Sequence, residues 1–167
     1  NWIATAFTYQ AEMPPARGWA AVPLLSLYLA VWPALATLCA WLLTRGRGLI
    51  PFALAIGGLW IGAEWFRSWV FTGYAWGPFS MMMLGDWERP GVAVILPWAG
   101  SYALSGLMVA LCGIFAWTIS ARRWAVSGAV LVGLIAAMYL PGPERREGTL
   151  PLTLVQPNLQ QEELDDP

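Results

Sequence analysis

Residues 91–121 read GVAVILPWAGSYALSGLMVALCGIFAWTISA, 31 consecutive positions without a formal charge, set between Arg89-Pro90 and Arg122. A helix needs about 20 mostly apolar residues to cross the hydrocarbon core of a bilayer. This stretch therefore holds one membrane span, and its neighbours repeat the pattern. Gly18 to Thr44 gives 27 uncharged residues, and Trp124 to Pro143 gives 20. The run after Arg47 lasts 16 residues to Glu64 and resumes after Arg67, which reads as a fourth helix with a charged pair in its last turns. Spans are expected at about 19–43, 49–71, 93–120 and 124–140, within a transmembrane domain covering 1–140. The 11 uncharged residues Asn1 to Ala11 are too short to span and read as the end of a fifth helix that starts before this chain does. The expected fold is an all-α polytopic membrane bundle of four full spans plus that end.

Composition narrows the chemistry. Charged residues are 11% and hydrophobic ones 58% of 167, against about 25% charge in soluble domains. The nine basic residues are all Arg, and His is absent. That excludes a His base, a His-ligated metal, a Schiff-base lysine and a Ser-His-Asp triad within this chain. A net charge of −1 without a basic cluster argues against nucleic acid. Cys39 and Cys112 lie in apolar runs, form no CxxC pair, and are expected in the core. No metal or cofactor is expected.

The Arg residues orient the chain. The loop at Arg45 and Arg47 carries two positives and no acid, as does that at Arg122 and Arg123. Cytoplasmic loops collect such residues, so both face inward. The Glu12–Arg17 loop, the segment from Thr72 to Pro90 and everything after Pro141 then face outward. The tail 141–167 opens with the helix-breaking Pro141-Gly142-Pro143. It continues through a charged linker to Leu150-Pro151-Leu152-Thr153-Leu154-Val155-Gln156, which reads as a short buried strand. One strand is not stable alone, so it is expected to open a larger soluble domain.

The densest chemistry lies between Trp60 and Trp87. An aromatic belt at the outer interface would account for much of it. Glu64 and Arg67, three apart, share a helix face and can pair. Arg47 to Glu64 is 17 residues, roughly 25 Å at about 1.5 Å per residue, which places the pair near the outer edge of the hydrocarbon. Two readings stand side by side. In one the pair locks helices together. In the other Glu64 holds Arg67 toward a lipid phosphate, for which the planar guanidinium is suited. Gly73 can supply a left-handed helix cap. Met81-Met82-Met83 suits either interfacial packing or an adaptable acyl-chain surface. Gly100, Ser101, Ser105 and Gly106 favour close helix packing. The site candidates are Glu64, Arg67, Trp69, Gly73, Trp76 and Met82, all for binding and none catalytic.

Three stretches carry a family resemblance. Glu64-Trp65-Phe66-Arg67-Ser68-Trp69-Val70-Phe71-Thr72-Gly73-Tyr74-Ala75-Trp76 resembles the EWLRxWxxTGFPW signature of the apolipoprotein N-acyltransferases. Gly100-Ser101-Tyr102-Ala103-Leu104-Ser105 resembles their G-x-Y-x-x-S helix start. Leu154-Val155-Gln156-Pro157-Asn158-Leu159, followed by Gln161, Glu162, Glu163, Asp166 and Pro167, resembles the opening of their nitrilase-like domain. Leu164-Asp165 stands where that family usually has Lys-Trp, and Ala75 where it has Pro.

The resemblance implies a bacterial inner-membrane protein whose α/β nitrilase-like domain begins in 141–167 on the periplasmic side. It implies a phospholipid acyl donor, a diacylglyceryl apolipoprotein acceptor, a monomer, and a Glu-Lys-Cys triad beyond Pro167. Two rival readings are a membrane transporter and a non-catalytic or amidase-type relative. The near absence of ionisable groups from the middle of the spans weighs against the transporter.

Overall fold

The computed structural model describes residues 15–70, 75–86, 89–142 and 153. Among them the chain is helical without strands: α1 (Pro15–Thr44), α2 (Leu49–Trp69), α3 (Leu96–Ser120) and α4 (Trp124–Ala137), with 3₁₀ turns at Phe79–Met83 and Gly91–Ile95. Three stretches, Ala16–Thr44, Leu49–Trp69 and Gly91–Ser120, are long and apolar enough to cross a membrane, and α4 is apolar but shorter. These helices are compatible with a membrane bundle. The expected end of a fifth helix, the strand at 150–156 apart from Thr153, and Gly73 lie outside the described residues.

The chain divides into two compact units, Val31–Arg145 and Asn1–Ala30 with Arg146–Pro167. In the second of these the described part is essentially the first half of α1, where Ser26 Oγ donates back to the Val22 carbonyl at 2.8 Å. The larger unit, 31–145, holds all the described site candidates.

The centre of this larger unit is the antiparallel pair α2 and α3, joined along a seam of small residues. Ala53 and Gly57 on α2 face Gly106, Ala110 and Gly113 on α3. A Cβ placed on Gly57 would meet Ala110 Cβ and the Gly106 carbonyl oxygen at 2.7 Å; one on Gly113 would meet Ala53 Cβ at 2.6 Å. The backbones touch, which suits a lipid setting where dispersion rather than water expulsion drives helix pairing. Leu104, Ser105 and Met108 are buried beside the seam. α4 folds back on α3, tied by a 2.8 Å hydrogen bond between Thr118 Oγ1 and Ser127 Oγ. Large apolar side chains along α1, α2 and α4 point outward, among them Leu42, Leu54, Trp65 and Val132.

The antiparallel course puts Arg45, Arg47, Arg122 and Arg123 at one end of this unit. Arg45 lies over Trp41 at 5.0 Å and Arg123 over Trp117 at 4.9 Å, apolar stems and charged heads sharing the helix ends. The two 3₁₀ turns lie at the other end.

Several expected boundaries shift. The span expected at 49–71 is helical to Trp69, with Val70 extended. That expected at 124–140 is helical to Ala137; Pro141 disfavours helical geometry just before it. The last turn tightens into Tyr139 N–H to Ala136 O (3.0 Å) and Leu140 N–H to Ala137 O (3.3 Å). The span expected at 93–120 is broken at Gly100, whose φ of 76° and ψ of 163° are non-helical, so regular helix starts at Ser101, as the G-x-Y-x-x-S motif implied. Gly100 and Ser101 are off the seam that they were expected to join; Ser105 and Gly106 are on it. Cys39 and Cys112, expected in the core, are exposed. Both faces of a span are apolar, so apolar neighbours do not reveal which face is inside.

Candidate functional site

Trp60, Glu64 and Arg67 stand at i, i+4 and i+7 on α2 and so form one stripe on its C-terminal half. Trp60 Nε1–H donates to Glu64 Oε1 at 3.1 Å. The Glu64 side chain is 4% exposed, and Arg67 Nη2 lies 4.0 Å from Oε1. The two do pair, at the long limit of an ion pair and beyond hydrogen-bond distance.

Their stronger contacts go elsewhere. The first N–H groups of any helical segment lack a partner in that segment. In the 3₁₀ turn Phe79–Met83 these partners come from two different spans. Phe79 N–H donates to Glu64 Oε1 at 2.7 Å, and Ser80 N–H to Ser105 Oγ of α3 at 2.9 Å. The ring of Phe79 meets Trp60 edge-on at 6.0 Å. Arg67 Nη2 donates to the Trp76 carbonyl at 2.7 Å and more weakly to Gly77 at 3.4 Å. A carboxylate, a guanidinium and a hydroxyl thus clamp the segment 76–80 onto the ends of α2 and α3. Hydrogen bonds to charged groups are worth about 1.5–3 kcal/mol net, so the clamp outweighs an ordinary loop contact.

Other candidates are near this clamp. Trp69 is half exposed and packs edge-on against Trp65 at 5.3 Å. Met82 is 65% exposed at the far end of the 3₁₀ turn, beside exposed Met81. Trp76 joins the clamp through its backbone carbonyl. Ser80, Ser105, Phe79 and Trp60 belong to it as well. The sequence carried Trp60 and Phe79 as aromatic-belt residues, and Ser105 as a small packing residue and the closing Ser of the G-x-Y-x-x-S stretch. The Ser80–Ser105 contact spans 25 positions of chain, for which no local pattern exists.

Of the openings between α1 and α2, two adjoin Trp32 and Ala63. A small cleft is bounded by Trp32, Pro33, Trp60, Ala63, Glu64 and Arg67. A larger apolar groove of about 340 Å³ is lined by Trp32, Leu35, Ala36, Cys39, Leu59, Gly62, Ala63 and Phe66. The rings of Trp32 and Phe66 stack at 6.3 Å across it. The clamp's amides are already engaged within it and its serine hydroxyls have no base beside them among the described residues, so its chemistry is holding and orienting.

The description "Apolipoprotein N-acyltransferase N-terminal domain" belongs to the family model that matches residues 1–114. The chain belongs to the apolipoprotein N-acyltransferase family. Curated apolipoprotein N-acyltransferases agree. That of Ralstonia nicotianae is 33% identical over 81% of this chain and 26% of its own length. That of Rhodopseudomonas palustris is 32% identical over 96% of this chain and 31% of its own, and that of Vibrio cholerae 29% over 96% and 32%. The chain therefore spans about a quarter to a third of the length of the curated relatives that it matches. No solved structure matches it. In this chain of the acyltransferase family, Glu64 and Arg67 supply the clamp's two charges and Ser101 opens the regular part of α3.

Proposed function

We propose that this chain is the membrane part of an inner-membrane enzyme that moves an acyl chain from a phospholipid to the N-terminal diacylglyceryl cysteine of apolipoproteins. The catalytic triad would lie in a nitrilase-like domain that opens in 141–167, on the periplasmic side. Family membership supports the reaction. The single observation that supports a role for this end of the bundle is Arg67. Its Nη2 is fixed by the Trp76 carbonyl, while Nε and Nη1 have no hydrogen bond among the described residues. Each of those donors can take one oxygen of a phosphate at the membrane edge, with Trp69, Trp76 and Met82 around the lipid.

Arg67→Lys in the full-length enzyme keeps the charge and loses the fork. Acyl transfer from phospholipid, normalised to folded protein, is expected to fall about tenfold, the equivalent of roughly 1.4 kcal/mol. A normalised rate equal to wild type would leave the pair as a helix lock only. The clamp supports that second reading only through Nη2, the one Arg67 nitrogen that serves the 76–80 backbone.

Orientation follows from the Arg-only loops. A reporter active only outside the cytoplasm is expected to work when fused after Gly148 and to fail when fused after Arg123. The reverse pattern would refute the topology.

A further inference from the structure

We propose that the end of the bundle opposite the clamp is a binding site for the head group of an anionic phospholipid, held by Arg45, Arg47, Arg122 and Arg123. The seam sets the level of the two loops that carry them. Ala53 meets Gly113 across it. α2 begins at Leu49, shortly before Ala53, and α3 ends at Ser120, shortly after Gly113. These stretches are roughly 6 and 10 Å of helix at about 1.5 Å per residue, so both loops leave the bundle within about one helical turn of the same level. The spans and loops that form this end bring no acid to it: none occurs between Arg17 and Glu64 or between Arg89 and Glu144. All four Arg residues are exposed, and none forms an ion pair among the described residues.

A charge bias that served orientation alone would need no fixed geometry. Here two of the guanidiniums are seated on rings of different helices, Arg45 on Trp41 of α1 at 5.0 Å and Arg123 on Trp117 of α3 at 4.9 Å. Trp rings settle at the head-group level of a bilayer, so each ring holds its guanidinium at the height of the lipid phosphates. The corner that carries Arg122 is fixed as well. Its φ of 54° is the one positive value on a non-glycine residue among the described residues, at a helix end where Gly is the usual occupant. The Arg122 and Arg123 amides close on the Ile119 and Thr118 carbonyls at 2.9 and 2.8 Å. The chain keeps a charge where an uncharged glycine would be relaxed.

The surface beneath decides the occupant. Leu42, Leu43, Ile119 and Trp124 are exposed around these loops, so an anion bound here has apolar surface directly below its charge. A nucleic acid or an acidic protein segment would bury its own charges against those side chains. A phospholipid instead lays its phosphate on the guanidiniums and its acyl chains on the apolar surface. Each guanidinium offers phosphate two parallel N–H groups, and basic pockets between spans take multiply charged lipid heads. A zwitterionic head would bring an ammonium against four like charges, which selects phosphatidylglycerol and its two-phosphate relatives over phosphatidylethanolamine.

The test titrates the full-length protein in detergent with equal amounts of phosphatidylglycerol and phosphatidylethanolamine bearing the same acyl chains, and counts bound lipids by native mass spectrometry. Phosphatidylglycerol is expected to be preferred about tenfold or more. The double change Arg122→Gln with Arg123→Gln is expected to lower that preference about tenfold. Trp117→Leu unseats Arg123 without changing the net charge and is expected to lower it about threefold. Both variants keep Arg45 and Arg47, and the reporter fused after Gly148 checks that their topology is unchanged. Arg89→Gln, beyond the other end of α3, is the control and is expected to keep the wild-type preference. Lipid bound elsewhere on the protein is common to all of these and cancels in the comparison.

Equal binding of the two lipids by the wild-type protein would overturn the site. An equal loss in Arg89→Gln and in the double variant would trace the preference to overall charge and overturn it too. So would displacement of the bound lipid by the same concentration of soluble glycerol phosphate, the outcome for a site that takes phosphate ions rather than a lipid. A Trp117→Leu protein with the full wild-type preference would show that the seating of Arg123 plays no part. If the double variant yields no folded protein, the lipid competition on wild type and the Trp117→Leu comparison still decide.

Discussion

Gly106→Val in the full-length protein is expected to abolish most folded material, with monodisperse protein recovered after detergent extraction falling well below wild type. A Cβ at Gly106 would lie 2.5 Å from the Gly57 carbonyl oxygen and 2.5 Å from Ile61 Cγ1. The Ile61 side chain can rotate, but the Gly57 carbonyl is helix backbone and cannot move without separating α2 from α3. Overpacking typically costs about 1–3 kcal/mol and occasionally more; a backbone clash at the central seam belongs at the upper end. Separation also removes the Ser80–Ser105 link, so the loss compounds. The matched control is Gly128→Val, where a Cβ meets nothing within 4 Å. Equal recovery of Gly106→Val and Gly128→Val would refute the backbone-contact account of the seam.

The second large effect belongs to Glu64. Glu64→Ala takes the shared acceptor from Phe79 N–H and Trp60 Nε1–H, and the counter-charge 4.0 Å from the Arg67 guanidinium. Removing one partner of a fully buried pair costs about 3–5 kcal/mol, and the 17% exposure of Arg67 puts this case toward the low end. Glu64→Gln keeps an acceptor oxygen for Phe79 and loses the charge, so its cost is expected between wild type and Ala. Hydrogen exchange by mass spectrometry over peptides covering 76–84 reads the effect directly. Protection of the Phe79 amide should drop strongly in Ala and moderately in Gln, with thermal stability following the same order. Unchanged protection in Glu64→Ala would show that the 3₁₀ turn is held without the carboxylate.

How far the sequence led depends on the kind of signal. The spans were legible because uncharged length is a property of consecutive residues, and α1, α2 and α3 lie close to where it put them. The end of α4 was misplaced because Pro141 acts on the residues before it while apolar composition continues past Ala137. The Glu64–Arg67 pair was legible from its i, i+3 spacing. Its main partners were not, since the Phe79 and Trp76 backbones are brought to α2 by a turn of the chain rather than by any period. The exposed positions of Cys39 and Cys112 show the same limit: in a lipid environment polarity no longer sorts residues to inside and outside. Small size does so instead, as Ala53, Gly57, Gly106, Ala110 and Gly113 illustrate. The groove was invisible for the converse reason, being a place where Ala36 and Gly62 are small and nothing in the described chain closes on them.

The clamp also has a consequence for biogenesis. Among the described residues, every hydrogen-bond partner of Glu64 and Arg67 beyond their own helix (the Trp76 and Gly77 carbonyls and the Phe79 amide) lies C-terminal to α2. Synthesis runs from the N-terminus, so α2 reaches the insertion machinery before any of them has been made. Until the chain has emerged as far as Phe79, the two charges have only each other and Trp60 as polar partners among the described residues. A charged residue at the helix centre opposes insertion by about 2.5–3.5 kcal/mol, and the position of this pair near the helix end lowers that barrier. The placement of Glu64 and Arg67 late in α2 is therefore also what lets the span enter the bilayer before its clamp exists.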